Sequence, residues 1–168
     1  RVNKISDLIN ISKEIGIELD IRDNHISKDL FLAHDPFTIG EKFDEYLKKY
    51  NHNTLILNVK SERVELKCLE ILNKYSIRNF FFLDSSFPMI YLLNNKYKCS
   101  SIACRFSEFE NIDMFLDNSH MFSTVWVDCF TKFPLDTILY EKIKSHNKKI
   151  CIVSPELQNQ GVKINEYR

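Results

Sequence analysis

Glycine is scarce, with three residues in a chain of 168 and no two of them close together. A phosphate-cradling loop or a dinucleotide fingerprint needs glycines at short fixed spacing, so both are excluded. Ser85-Ser86-Phe87-Pro88, after Asp84, lacks the G-x-S-x-G elbow of a serine hydrolase. Net charge is missing too: 23 basic residues balance 23 acidic ones. That balance argues against a broad electrostatic surface for nucleic acid or anionic membrane, and no appreciable DNA affinity is expected at physiological salt. No apolar run approaches the roughly 18 residues of a membrane span, so no transmembrane segment is expected, and the N-terminus carries no apolar secretory block. The five cysteines, Cys68, Cys99, Cys104, Cys129 and Cys151, form an odd set without C-x-x-C. They read as buried reduced thiols, which places the protein in the cytoplasm. No Pro-, Gly- or Ser-rich linker divides the chain, and residues 1–168 read as one domain.

What the chain does have is a rhythm. β-prone runs recur at Ile17–Ile21, Thr54–Val59, Asn79–Leu83, Ser101–Arg105, Thr124–Val127 and Lys149–Val153. Helical patterns lie at Ile5–Ile15, Ile39–Tyr50, Glu62–Tyr75, Pro88–Tyr97, Ser107–Asn118 and Pro134–His146. The last five strands start 25, 22, 23 and 25 residues apart. Such a β-α period implies parallel strands joined by crossovers, hence a (β/α) barrel or an open α/β sheet. Nearly every run ends in polar residues: Asp20 and Arg22, Asn58 and Lys60, Asp84, Arg105, Asp128, Ser154 and Glu156. Polar groups at many strand ends suit the active face of a TIM-type barrel, whereas an open sheet gathers its ligands at one switch point. The expected fold is therefore α/β, a TIM-type (β/α) barrel.

Chemistry concentrates between Gly16 and Asp35. Glu18 and Asp20 sit two apart on a strand, so they project from one face about 6 to 7 Å apart, within the span of one divalent cation. A short apolar run, Leu30 to Ala33, then ends in His34 and Asp35, where an imidazole could move protons beside a metal. Asp35 reads as the residue that orients His34 or fixes the loop. His25, among Asp23, Asn24 and Lys28, reads as solvated.

An E-x-D at a strand end, followed about fifteen residues later by an apolar run ending in H-D, resembles the glycerophosphodiester phosphodiesterases and, more distantly, the phosphatidylinositol-specific phospholipases C. Leu57-Asn58-Val59-Lys60 is similar to the strand that carries E-x-K in that family. The resemblance implies a barrel, a metal held by Glu18, Asp20 and Asn58, and Mg²⁺ or Ca²⁺ as cofactor. It implies His34 as a catalytic acid or base, with Arg1 and Lys60 neutralising the phosphate. The family's first strand ends in His-Arg. If Arg1 is that arginine, its histidine lies just outside the sequence; the absence of an initiator Met fits a trimmed fragment lacking the first strand, with an incomplete last repeat. Asn58 stands where resembling enzymes have a glutamate, and its amide oxygen can coordinate a hard cation without adding charge.

Other residues keep two readings. Lys60 is either a solvated lysine at a strand end or a cation facing a phosphate. Trp126 either fills the core or stacks on a sugar or glycerol face. Arg105 reaches the polar part of a substrate or pairs with Glu18 or Asp84, while Asp128 and Glu156 could bind substrate hydroxyls. The expectation is a metal-dependent phosphoric diester hydrolase acting on a small soluble phosphodiester through His acid-base catalysis, with a cyclic phosphate as one route to product. The alternative is a catalytically weak barrel that binds a phosphorylated sugar or headgroup.

Overall fold

The computed structural model describes residues 1–24 and 26–161, so His25 lies outside the described residues. Two compact units divide the chain, Arg1–Met89 and Ile90–Arg168.

In the first unit, strands β1 (Ile17–Asp23), β2 (Leu30–Leu32), β3 (Glu41–Lys42), β4 (Leu55–Val59) and β5 (Phe80–Leu83) form one sheet in the order β3-β2-β1-β4-β5. β1, β4 and β5 run parallel, while β2 and β3 are antiparallel additions. Alternation sorts the two faces. Leu19 lies beside Leu57 and Phe82, all buried, on the apolar face; Asp20 lies beside Asn58 on the other. Helix α3 (Glu65–Lys74) adds buried Cys68, Ile71 and Leu72 to the core. Burying each such aliphatic side chain contributes about 1.5–3 kcal/mol.

Two helices are shorter than their periodicity predicts. α1 covers only Ile5–Leu8. Beyond it the backbone bonds tighten to three-residue steps, Asn10 N–H to the Asp7 carbonyl and Ile11 N–H to that of Leu8, and Ile9 and Ile15 are exposed. α2 covers Phe43–Leu47, because Glu41 and Lys42 are drawn into β3 opposite Leu32 and Phe31. Strand pairing there overrides the local helical pattern.

The second unit holds three parallel strands, β6 (Ala103–Phe106), β7 (Thr124–Val127) and β8 (Lys149–Ile152), in the order β6-β7-β8. Helix α4 (Phe87–Tyr97) precedes them in the chain. α5 (Ile112–Asp117) starts late because the Asn111 side chain accepts the Asp113 N–H at 2.9 Å. α6 (Thr137–Ser145) is capped in the same way by Asp136, which accepts the Leu139 N–H at 2.8 Å. Cys68, Cys104 and Cys129 are buried thiols, and Cys99 and Cys151 half-buried ones. Burial pushes the Cys104 thiol up to about 12.

The α/β class and the parallel strands match the expectation. The hydrogen-bond ladders of the described residues, however, form two sheets and not one closed ring. Part of the reason lies at β1, whose far edge is taken by antiparallel β2 and, at Glu18, by the Val2 N–H. No helix among the described residues is long and apolar enough to cross a membrane.

Gly40 makes the β2–β3 hairpin possible, since a Cβ there would lie 1.8 Å from the Leu32 carbonyl oxygen. Gly40→Ala is expected to cost about 3 kcal/mol, the upper range of overpacking. Urea unfolding checks this, and an unchanged midpoint would show that the hairpin yields without cost.

Candidate active site

Asp20, fully buried, is the centre of the polar face of β1. Its Oδ2 accepts a hydrogen bond from Asn3 Nδ2 at 2.9 Å and lies 3.8 Å from Arg1 Nε. Asn3 Oδ1 accepts the Asp20 N–H at 2.9 Å, so one side chain holds both the backbone and the carboxylate. Asp20 Oδ1 lies 3.8 Å from Lys60 Nζ, which is also 3.6 Å from Asp84 Oδ2. The Lys60 ammonium thus sits between two carboxylates.

The N-terminal segment reaches this position through three bonds. Val2 N–H donates to the Glu18 carbonyl at 2.9 Å, Tyr46 Oη donates to the Val2 carbonyl at 2.8 Å, and Ile5 N–H donates to Glu41 Oε2 at 2.8 Å. Burial raises the Tyr46 phenol well above its ordinary range, which keeps it a donor. On the β4 side, Lys60 N–H bonds the Ile21 carbonyl at 2.9 Å, and the Lys60 carbonyl accepts from Arg22 Nη1 at 2.9 Å.

Asn58 Nδ2 donates to Glu18 Oε1 at 3.0 Å. That leaves two buried oxygens, Asn58 Oδ1 and Asp20 Oδ1, which accept no hydrogen bond among the described residues. Their residues are register partners across β1 and β4. No group of three His, Cys, Asp or Glu side chains among the described residues is placed to hold a metal ion. Glu18, Asp20 and Asn58 instead make a set of two carboxylates and an amide. Hard cations take amide as well as carboxylate oxygens, so the donor types of these three residues suit one, while Lys60 Nζ already stands 3.8 Å from Asp20 Oδ1.

His34 follows β2 on an exposed turn. Its Nδ1 bonds Asp35 Oδ1 at 2.8 Å, and its carbonyl accepts from Arg22 Nε and Nη2 at 3.2 and 2.7 Å. With Nδ1–H donated to Asp35, the neutral ring keeps Nε2 as its proton acceptor. Ala33 N–H, one residue earlier, donates to the Asp20 carbonyl at 3.0 Å. The backbone therefore ties this turn to the Asp20 strand, while the ring pairs with Asp35 and not with the buried carboxylates.

The other predicted residues belong to the second unit. Arg105 Nη1 pairs with Asp128 Oδ2, and Asp128 is buried at the end of β7. Trp126 is buried and stands in register with Arg105 and Cys151. Glu156 lies in a short 3-10 turn, Pro155–Gln158, where it accepts from Ser154 Oγ. Three contributors to these arrangements carry no motif. Asn3 lies outside any strand pattern, and Arg22 is recognisable only as a polar strand end, as is Asp84. Glu108 is a fourth: its carboxylate gathers Phe130 N–H, Thr131 N–H and Oγ1, and Lys132 N–H, clamping the loop after Asp128.

No protein-family model matches the sequence, and no curated protein does. Solved structures do match. One is an Agrobacterium tumefaciens protein assigned as a glycerophosphoryl diester phosphodiesterase, with a TM-score of 0.66 and 11% identity over 95% of this chain and 82% of that one. Another is a glycerophosphodiester phosphodiesterase from the same organism, with a TM-score of 0.60 and 14% identity over 82% of this chain and 73% of that one. The chain has the fold of the glycerophosphodiester phosphodiesterases, in agreement with the resemblance drawn from its E-x-D and H-D residues.

The Glu108 clamp has a pH signature. Partial desolvation raises this carboxyl, but hydrogen bonds from its own N–H, the Thr131 hydroxyl and N–H, and the Phe130 N–H outweigh it and hold the group at about 2. A carboxyl depressed from an ordinary value near 4.5 stabilises the fold above that pH and loses the contribution as pH falls toward about 2. Thermal melts from pH 7 to 2 should therefore show Glu108→Gln less stable than wild type at pH 7, with the gap closing in acid. A gap of constant size would show that the clamp is not charge-dependent.

Proposed function

We propose that this protein is a metal-dependent phosphodiesterase acting on a small soluble phosphodiester of the glycerophosphodiester kind. The observation that carries the reading is the buried Asp20–Asn58 pair with two oxygens that accept no hydrogen bond among the described residues, flanked by Arg1 and Lys60. Glu18, Asp20 and Asn58 would hold Mg²⁺ or Ca²⁺. When bound there, a divalent cation draws charge from a phosphoryl oxygen and lowers its repulsion toward a nucleophile. Lys60 and Arg1 supply the remaining positive charge, Arg1 through a planar fork suited to phosphate. His34, oriented by Asp35, moves the proton: its Nε2 takes one from the attacking hydroxyl or, once protonated, returns one to the leaving oxygen. If the attacking hydroxyl belongs to the substrate, the product is a cyclic phosphate that water can open. The strand–helix period supports reading the chain as one (β/α)-barrel domain, and the cysteine thiols support a cytoplasmic location.

A second reading, a barrel that binds a phosphorylated sugar or headgroup without turnover, is favoured by two observations. Asn58 brings no negative charge, and Lys60 already faces both Asp20 and Asp84. Turnover of bis-(p-nitrophenyl) phosphate and of glycerophosphodiesters, in Mg²⁺ or Ca²⁺ and then in chelator, separates the two. A pure binder would gain thermal stability with ligand and release no product.

For the phosphodiesterase, Glu18→Gln and Asp20→Asn should lose the divalent-dependent rate while the fold survives in chelator. His34→Ala should spare metal binding and lower turnover by about 10²-fold or more. Activity that persists in both carboxylate variants would rule out the metal mechanism.

A further inference from the structure

The Arg22 guanidinium is bonded to the backbones of both His34 and Lys60. Its Nη1 donates to the Lys60 carbonyl at 2.9 Å, while Nε and Nη2 donate to the His34 carbonyl at 3.2 and 2.7 Å. Alternation along β1 puts this half-buried side chain on the face that carries Glu18 and Asp20. His34 and Lys60 follow β2 and β4, the strands that flank β1 on its two sides. Each carbonyl lies past the last rung of its ladder. On one side that rung is Ala33 N–H to the Asp20 carbonyl at 3.0 Å, and on the other Lys60 N–H to the Ile21 carbonyl at 2.9 Å.

Beyond those rungs the sheet no longer sets the spacing of the two segments, and the guanidinium takes over. The His34 turn is exposed, so water could serve its carbonyl as a partner. Water would not tie that carbonyl to Lys60. A guanidinium does, because its N–H groups point in fixed directions from one plane, whereas an ammonium is a point donor on a flexible stem. Holding the His34 carbonyl also places Asp35, whose carboxylate leaves the next backbone position and bonds the His34 ring at 2.8 Å.

We propose that Arg22 is a positioning residue, which brackets the His34 and Lys60 carbonyls and so fixes the imidazole and the ammonium relative to each other. The bracket stands on the geometry alone; its consequence for turnover rests on the phosphodiesterase reading above. That reading asks both groups to meet one phosphate, where a misplacement of about 1 Å costs up to about 10²-fold in rate. A bracket formed before the substrate arrives spares the reaction that reorganisation.

The test uses the full chain with ¹³C-labelled histidine and lysine, the His34 and Lys60 signals being assigned with His34→Ala and Lys60→Arg. Arg22→Lys keeps the charge and loses the fork; Arg22→Met removes both. In each variant the His34 ring and Lys60 Cε signals should move together from their wild-type positions. The ring signal of His52, which bonds the Ile11 carbonyl elsewhere in the same unit, should stay. With bis-(p-nitrophenyl) phosphate in Mg²⁺ or Ca²⁺, kcat and kcat/KM should fall together by about tenfold to 10²-fold. Added to His34→Ala, Arg22→Lys should lower kcat by a smaller factor than it does alone, since one of the two groups it positions is already gone. Unmoved His34 and Lys60 signals in Arg22→Met overturn the bracket, as does an equal shift of His52. Equal losses of kcat with and without His34 overturn the positioning role. If neither variant folds, Arg22 serves stability and the proposal falls. Signals that move as expected in a protein without turnover, wild type included, would uphold the bracket and refute the phosphodiesterase reading.

Discussion

A carboxylate without solvent exposure, Asp20, is the constraint on which the N-terminal unit turns. Removing a charge from water costs several kcal/mol, and only close countercharges and hydrogen bonds offset it. Asn3 and Arg1 answer one oxygen and Lys60 the other. Each answer depends on a different part of the fold. Arg1 and Asn3 are in place because Val2 is bonded to β1 and to Tyr46; Lys60 is in place because the β1–β4 register sets Asp20 beside Asn58 and ties Lys60 N–H to Ile21. A one-residue slip of that register would turn Lys60 to the apolar face.

The same logic operates in the second unit on a smaller scale. Asp128 is buried at a strand end and answered by Arg105 from the neighbouring strand. The loop that follows is held by Glu108, whose carboxylate collects backbone N–H groups that would otherwise need water. In both units, apolar residues of parallel strands build the core, and polar residues that end those strands form buried ion pairs. That division of labour is characteristic of parallel α/β architectures.

Much of the fold was legible because periodicity is a local property. β7 matches its predicted range, Thr124–Val127, and α4 begins one residue before its predicted start. The errors fall where a distant partner outbids local preference. Ile39–Tyr50 has a helical pattern, yet Gly40 lies against the Leu32 carbonyl and Glu41–Lys42 pair as a strand. Ile5–Ile15 has an apolar stripe, yet Ile9 and Ile15 reach no core and the helix stops at Leu8.

By itself, the sequence determined the strand–helix order, the shared face of Glu18 and Asp20, and the adjacency of His34 to Asp35. Alternation and nearest-neighbour chemistry need no information beyond a few residues. Only the tertiary structure decided that Asn3 would hold Asp20, that Lys60 would stand between Asp20 and Asp84, and that the Asn58 amide would turn its N–H to Glu18. These pairings join residues 17 to 40 positions apart. What selects them is the cost of leaving a buried polar atom without a partner, and that cost appears only when the chain has folded and water has been excluded.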